Sequence, residues 1–272
     1  MNNLLSPEKE QKEFCTRFLS DEIKQQLIKT FKKAKQRLIF LDYDGTLVPY
    51  VKHPLMAKPG EKLLTILKRL SGFQNTDVVI ISGRDKATLQ KWFGSLDIEL
   101  AAEHGAWRKE KYGDWQLSAS FANDWKPEIL SILRQYVDRL PGSFIEEKDF
   151  SLVWHYRAAD EKLCPIIKND FLNMMKKNAD DMYIEILQGN TVIEVRTAGV
   201  NKGTAGKYWI EKKHPDFILA IGDDRTDEDL FFALPETAYS IKVGKTPSFA
   251  RYNLLDNQQP VIIELLEELI KN

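Results

Sequence analysis

Two carboxylates one residue apart close an apolar run, in Leu38-Ile39-Phe40-Leu41-Asp42-Tyr43-Asp44-Gly45-Thr46-Leu47. Acids this close at the end of a strand repel each other, so the pattern is costly unless a cation or a reaction uses it. Mg²⁺ suits such a pair, because it takes one or two carboxylates and completes its shell with phosphate and water oxygens. Gly45 can turn the backbone sharply, and Thr46 can donate a hydroxyl. Taken alone, the same residues also suit an Asx turn after a strand.

Three further segments carry reactive groups at comparable positions. In Ile80-Ile81-Ser82-Gly83-Arg84 a hydroxyl ends an apolar run, just before a helix start whose free N–H groups favour anions. A plain N-cap serine reads the same way. In Gly199-Val200-Asn201-Lys202-Gly203 a lysine opens a helix, at the end where the macrodipole is already positive. A phosphoryl group or a cluster of aspartates would compensate it; a solvated surface lysine needs neither. In Leu219-Ala220-Ile221-Gly222-Asp223-Asp224-Arg225-Thr226-Asp227-Glu228-Asp229 five acids crowd one strand–helix junction. Helix capping, expected at Asp227, accounts for some of them but not for the adjacent Asp223 and Asp224.

The elements that must position these groups alternate. Ser20-Asp21-Glu22 opens a helix with Ile23, Leu27 and Phe31 on one face, and Pro59-Gly60 opens another with Leu63, Ile66, Leu67 and Leu70. Asp77–Ile81 is a short apolar run suited to a buried parallel strand, and Ile98–Ala102 reads as the next strand. After Lys202 the chain reads helix, strand Phe217–Ile221, helix from Asp227, strand Tyr239–Val243 and a helix from Val261. Strand–helix alternation implies an α/β fold, a doubly wound parallel sheet whose carboxyl edge carries Asp42, Asp44, Ser82, Lys202 and Asp223.

The middle of the chain has another rhythm. A helix over 126–140 precedes strands at 143–147 and 151–156, and a helix over 160–177 precedes strands at 182–187 and 191–195. Helix–strand–strand, twice over, implies an open-faced α+β layer. The expected organisation is therefore a core of residues 1–113 and 199–272 with an inserted cap of residues 114–198. Residues 1–17 are polar and expected to fray.

The set D-x-D-G-T, then Ser, then Lys, then paired Asp resembles the haloacid dehalogenase-like phosphohydrolases. Gly222 through Asp229, Gly199 through Gly203, Ala102-Glu103-His104-Gly105, Ile145-Glu146-Glu147-Lys148 and Trp154-His155-Tyr156-Arg157 look like the trehalose-6-phosphate phosphatase family. The resemblance implies Mg²⁺-dependent hydrolysis of trehalose 6-phosphate. Asp42 would be the nucleophile that becomes an aspartyl-phosphate, and Asp44 the acid and then the base. Ser82 and Lys202 would hold phosphoryl oxygens. Asp42, Asp44 (through its backbone carbonyl) and Asp223 would hold the metal, and Asp224, also a metal residue, and Asp227 would each either hold metal-bound water or position Lys202. Gly83, Arg84, Glu103 and His104 would line the substrate site in the core. Glu146, Lys148, Arg157 and Glu194 would hydrogen-bond the sugar from the cap. Glu194 could equally face solvent, and Glu146 and Lys148 could be an exposed hairpin pair. The Gly189-Asn190-Thr191 turn has no lysine where related enzymes often carry one.

Composition narrows the partners. Lys and Arg number 39 against 40 acids, a net charge of −1, which suits neither a nucleic-acid backbone nor an anionic membrane. Cys15 and Cys164 stand far apart, and His53, His104, His155 and His214 lack metal-ligand spacing. No apolar stretch approaches the ~20 residues of a membrane span, and the amino terminus has no signal-peptide pattern. A small-molecule substrate and a cytoplasmic setting are expected. So is association or fusion with a trehalose-phosphate synthase, because the helix before Arg37 resembles the lead-in found in such fusions. Other readings are a phosphatase of another sugar phosphate, such as sucrose phosphate, and a non-catalytic regulatory domain that binds sugar phosphates. A phosphomutase would share the chemistry but return the phosphoryl group.

Overall fold

Near-continuous apolar runs need cover on both faces, and the central strands of the protein have it. The structure is a computed structural model and describes residues 16–51, 56–118, 123–176, 182–189, 191–245, 247–255 and 259–271. In chain order the first elements are β1 (Arg17–Phe18), α1 (Asp21–Lys33), β2 (Arg37–Leu41), α2 (Glu61–Ser71), β3 (Thr76–Ile81), α3 (Lys86–Phe93), β4 (Glu99–Ala102), β5 (Trp107–Lys109) and β6 (Trp115–Leu117). The middle holds α4 (Lys126–Arg139), β7 (Phe144–Glu147), β8 (Ser151–His155), α5 (Leu163–Met175), β9 (Ile184–Gly189) and β10 (Val192–Thr197). The chain ends with α6 (Lys202–Lys213), β11 (Phe217–Gly222), α7 (Arg225–Ala233), β12 (Tyr239–Val243), β13 (Tyr252–Leu254) and α8 (Gln259–Leu269).

Two compact units result. One contains the described residues up to Ser118 and from Asn201; the other contains those between. The first is built on a nine-stranded sheet in the order β1-β13-β12-β11-β2-β3-β4-β5-β6. Its strands are parallel from β1 to β4 and antiparallel from β4 to β6. Side chains alternate between two cores. Ile39, Leu41, Val78, Ile80, Leu219 and Ile221 face the core built with α1, α2, α3 and α8, while Leu38, Phe40, Val79, Ile81, Ile218 and Ala220 face the one built with α6 and α7. This is the doubly wound α/β arrangement that the alternation implies. From β2 the chain moves to β3 and β4 on one side, and after the insertion to β11, β12 and β13 on the other. Strand order therefore reverses between β2 and β11, which in open α/β sheets is where ligands bind.

Three local readings change. The antiparallel ribbon β5–β6 was not expected; it keeps the chain on the sheet until Leu117, so the first unit runs past residue 113. Arg17, expected to fray, pairs with Tyr252 in a short parallel ladder, and Arg17 N donates to Arg251 O at 2.9 Å. The helix expected from Asp227 begins at Arg225. The Asn190 turn, Cys15, His53 and the fraying of the first fifteen residues lie outside the described residues. Among the described residues no helix is long and apolar enough to cross a membrane.

The second unit is a four-stranded antiparallel sheet, β7-β8-β10-β9, with α4 and α5 packed on one face. Leu152, Trp154, Ile193 and Val195 point into that core. Because side chains alternate along a strand, Glu146, Val153, His155 and Glu194 belong to the other face.

At the amino ends of the parallel strands, Lys213 bridges two acids. Its Nζ lies 2.9 Å from Asp77 and 3.1 Å from Glu99, which is fully buried. Burial, then Asp77, push Glu99 up to about 7 against the pull of Lys213. The folded state thus keeps a proton that the unfolded chain releases at lower pH, and stability must fall as pH rises through that window. Glu99→Gln should flatten this dependence and stabilise the protein at pH 8 by on the order of 1 kcal/mol, read from urea unfolding midpoints at pH 5 and 8. An undiminished slope would move the effect to another group.

Candidate active site

The site grows out of the end of β2. Asp42 prolongs the ladder, with its N–H donating to Ile221 O of β11 at 3.0 Å. The next residue alternates inward: Tyr43 is fully buried between Trp92 and Phe93. Its neighbours on the strand, Asp42 and Asp44, therefore turn the other way. Gly45 then closes a turn, donating to Val48 O at 2.8 Å with φ +86°. Only glycine suits this place, because a Cβ would sit 2.1 Å from Asp223 Oδ2 as well as strain the backbone. The glycine lets the β11 loop approach the β2 loop.

Lys202 is the centre of charge. Asn201 caps α6 by accepting from Thr204 N at 2.9 Å, which places Lys202 at the first helical position. The lysine is 1% exposed, and its Nζ lies 2.6 Å from Asp42 Oδ1 and 2.8 Å from Asp227 Oδ1. Two aspartates supply the compensation that a cation at a helix amino terminus requires. Burial opposes its charge, but Asp227 and Asp42 outweigh burial and hold the Lys202 ammonium well above its ordinary range. The remaining Asp227 oxygen accepts from Asp223 N at 2.9 Å and Asp224 N at 3.1 Å, so Asp227 braces both the lysine and the acidic loop.

Asp224 caps α7. It accepts from Thr226 N at 2.8 Å and Asp227 N at 3.3 Å, and Asp227 returns the bond to the Asp224 N–H in a capping box. The cap is thus Asp224, with Asp227 three residues inside, rather than Asp227 itself. Burial works against the Asp224 charge, yet Lys202 and the Thr226 hydroxyl carry its carboxyl below the usual range.

Asp223 is half-buried and accepts from two hydroxyls, Thr46 at 3.1 Å and Tyr50 at 2.8 Å. Burial and the Asp224 charge raise Asp223 to about 7. Burial raises Asp42 to about 8 despite Lys202, with Asp223 and Asp224 adding to the rise. Asp42, Asp223 and Asp227 each offer an oxygen within 4.8 Å of the others. The donor set consists of hard carboxylate oxygens, and the acids repel each other without a cation, so the residues fit a hard divalent metal. Asp224 Oδ1 is taken by the helix cap, and Asp44, expected to reach the metal through its backbone carbonyl, gives its carboxylate to Arg84. Asp44 receives a guanidinium fork from Arg84, with Nε at 2.7 Å and Nη2 at 2.6 Å. The Arg84 guanidinium also lies over the Trp92 ring, 5.0 Å from its centroid.

Ser82 follows β3 and is 1% exposed; its hydroxyl accepts from Arg84 N at 3.2 Å. The β4 end packs against it through strained backbone. Glu103 and His104 both hold positive φ, +48° and +57°, conformations that cost about 1 kcal/mol or more for residues with a Cβ. Glu103 N donates to Arg84 O and His104 N to Ser82 O, both at 2.9 Å, and these bonds help hold the strain. The His104 ring lies over Gly83, where a Cβ would come within 2.7 Å of it. Ser82, Gly83, Arg84, Glu103 and His104 thus form one packed group.

The four cap residues belong to the second unit. Glu146 and Glu194 flank Val153 in register. Lys148 Nζ lies 3.9 Å from Glu146 Oε1, and Arg157 Nε donates to Thr191 Oγ1 at 3.0 Å. Glu194 is buried rather than facing solvent. Three contributors escape sequence reasoning. Tyr50 carries no signal. Lys242 reads as one polar position in β12, yet it donates to Asp224 O at 2.8 Å and pairs with Glu228 at 3.1 Å. Asp227 as the partner of Lys202 is one of two roles its position allows, although its spacing of three from Asp224 is the capping-box signature.

Comparison with known proteins adds ancestry to this geometry. A family model described as trehalose-phosphatase matches residues 40–258. A bifunctional trehalose-6-phosphate synthase/phosphatase of Thermoproteus tenax is 37% identical over 261 residues, 96% of this chain and 35% of that protein. The chain spans between 25% and 35% of the length of the curated relatives that it matches most strongly. The structure of the Candida albicans trehalose-6-phosphate phosphatase C-terminal domain superposes with a TM-score of 0.86 at 33% identity, covering 94% of this chain and 98% of that one. A haloacid dehalogenase-like hydrolase from Bacteroides thetaiotaomicron, 14% identical, covers 86% of this chain and all of its own with a TM-score of 0.61, a likeness of fold. The α/β core has the fold of haloacid dehalogenase-like hydrolases, and the chain belongs to the trehalose-phosphatase family.

Proposed function

We propose that the protein hydrolyses trehalose 6-phosphate to trehalose and phosphate, with Mg²⁺ as cofactor. The observation that carries this reading is the buried Asp42–Lys202–Asp227 chain at the β2/β11 switch point, in a member of this family. Asp42 attacks phosphorus through a carboxylate oxygen; the new O–P bond forms as the bond to the sugar oxygen breaks. Asp44 gives a proton to that departing oxygen. It then takes one from the water that cleaves the aspartyl-phosphate, acid first and base second. Its fork with Arg84 aims the carboxylate. Lys202 and Ser82 hold the phosphoryl oxygens, since phosphoryl transfer depends on positioning and charge stabilisation more than on covalent help.

Asp42 and Asp223, with the Asp44 backbone carbonyl, would hold Mg²⁺, and when bound the ion neutralises phosphoryl charge. Asp227 and Asp224 serve Lys202 and the helix cap. Gly83, Arg84, Glu103 and His104 line the substrate site of the core. In the second unit, which acts as the cap, Glu146, Lys148, Arg157 and Glu194 recognise sugar hydroxyls, for which mixed donors and acceptors are suitable. The chain works beside a trehalose-phosphate synthase or joined to one, a reading supported by the bifunctional name of the Thermoproteus tenax relative.

The test is phosphate release over a panel of sugar phosphates before and after metal stripping. Trehalose 6-phosphate should be the best substrate, with activity lost on chelation and restored by Mg²⁺. A preference for sucrose phosphate, or full activity without metal, would overturn the substrate or the cofactor respectively.

A further inference from the structure

On the face of the cap sheet turned away from its helices, His155 holds a defined place. Its Nε2 lies 2.8 Å from Glu146 Oε2. The Phe144 ring stacks on the imidazole, centroids 4.6 Å apart and planes at 11°. Register explains the contact: Phe144 pairs with His155 and Glu146 with Val153 across β7 and β8, while Ile145 and Trp154 alternate into the apolar core. An ionised carboxylate only accepts, so Nε2 is the donor in this bond. Burial works against ionisation of Glu146, but His155 and Lys148 hold its carboxyl below the usual range. One oxygen, Oε2, is fixed by His155; the other, Oε1, is 3.9 Å from Lys148 Nζ.

A glutamate on a strand has three rotatable bonds, and freezing them on binding costs conformational entropy. A histidine has two, and here one flat neighbour stacks against its ring. The pair Phe144–His155 therefore orders Glu146 before any ligand arrives, and a pre-ordered acceptor binds a hydroxyl more tightly than a free one.

We propose that His155 is a positioning residue for sugar recognition: it fixes Oε2 of Glu146 and so presents Oε1 to a hydroxyl of the phosphorylated sugar. The inference rests on the assignment of Glu146 to sugar binding made above. His155 need not touch the substrate; it acts through Glu146.

A double-mutant cycle tests this, with steady-state kinetics on trehalose 6-phosphate and on a small aryl phosphate. His155→Phe keeps an aromatic ring for Phe144 but removes the N–H. It should raise KM for trehalose 6-phosphate about tenfold with kcat little changed. His155→Gln keeps an N–H donor of similar reach and should recover most of that loss. In a Glu146→Ala background, His155→Phe should add no further loss, because the two act as one unit. The loss should be confined to the sugar substrate, since only it has the remote part. Additive losses, or equal losses on the aryl phosphate, would overturn the proposal and leave His155 a structural residue. If wild type prefers a different sugar phosphate, the substrate assignment falls, and the same cycle run with that substrate decides the role of His155. Hydrolysis of the aryl phosphate alone, with no sugar phosphate accepted, would overturn both.

Discussion

Asp42→Asn should abolish phosphate release, by on the order of 10⁴-fold or more, while the protein stays folded. Asparagine is nearly isosteric, but its amide cannot form an acyl-phosphate. Stability should change little. Asn fills the same space, its Oδ1 can still accept from Lys202 Nζ, and Asp227 keeps the lysine paired. The decisive pair of measurements is single-turnover phosphate release and a thermal unfolding curve. Turnover within about tenfold of wild type would exclude Asp42 as the nucleophile. A large fall in unfolding temperature with the activity loss would mean that the mutation broke the core instead.

Lys202→Met should cost both activity and stability, because the lysine serves two acids at once. Asp42 and Asp227 lie 2.6 and 2.8 Å from its Nζ, in a place where the lysine is 1% exposed. Methionine fills the space of the stem but leaves two buried carboxylates uncompensated. Breaking a buried pair in this way costs about 3–5 kcal/mol. Asp227 also accepts from the Asp223 and Asp224 amides, so part of the loss is a loosened acidic loop. Without the cation both acids favour the protonated form more strongly. Folded-state pKa values then lie further above those of the unfolded chain, and the destabilisation should grow as pH rises above the ordinary carboxylate range. Turnover should fall by about 10²-fold or more, as when one charge-stabilising group is removed from a preorganised site. Urea unfolding at pH 5 and pH 8 measures the first effect, and phosphate release the second. A variant as stable as wild type at pH 8 would show that Lys202 is not the ion that holds this cluster together.

Local patterns along the chain encode part of this architecture. Runs of apolar residues at 38–41, 77–81 and 217–221 are long enough, and uniform enough, to specify strands buried on both faces. Strand–helix alternation then fixes a parallel sheet, and a parallel sheet has one carboxyl edge. Acids and a hydroxyl placed after those runs, and a lysine at the start of the helix that leads into the third, must gather there, so Asp42, Ser82, Lys202 and Asp223 were legible in the sequence. Resemblance to a family added roles to those positions.

Tertiary structure alone decided which partner each group takes. Lys202 bonds Asp42 across 160 residues and Asp227 across 25, contacts that depend on β2 and β11 being neighbours. Asp224 Oδ1 went to the helix cap, and the Asp44 carboxylate went to Arg84. The difference lies in which donor each backbone turn brings within reach, and no window of a few residues contains that information. The paired left-handed residues Glu103 and His104 are likewise invisible in sequence, because neither type demands positive φ; hydrogen bonds to Arg84 and Ser82 hold them there. The ribbon β5–β6 escaped for a related reason. Three-residue strands carry too short a period to read, and they form only because β4 offers an edge. Local chemistry chose the groups, and long-range packing assigned their partners.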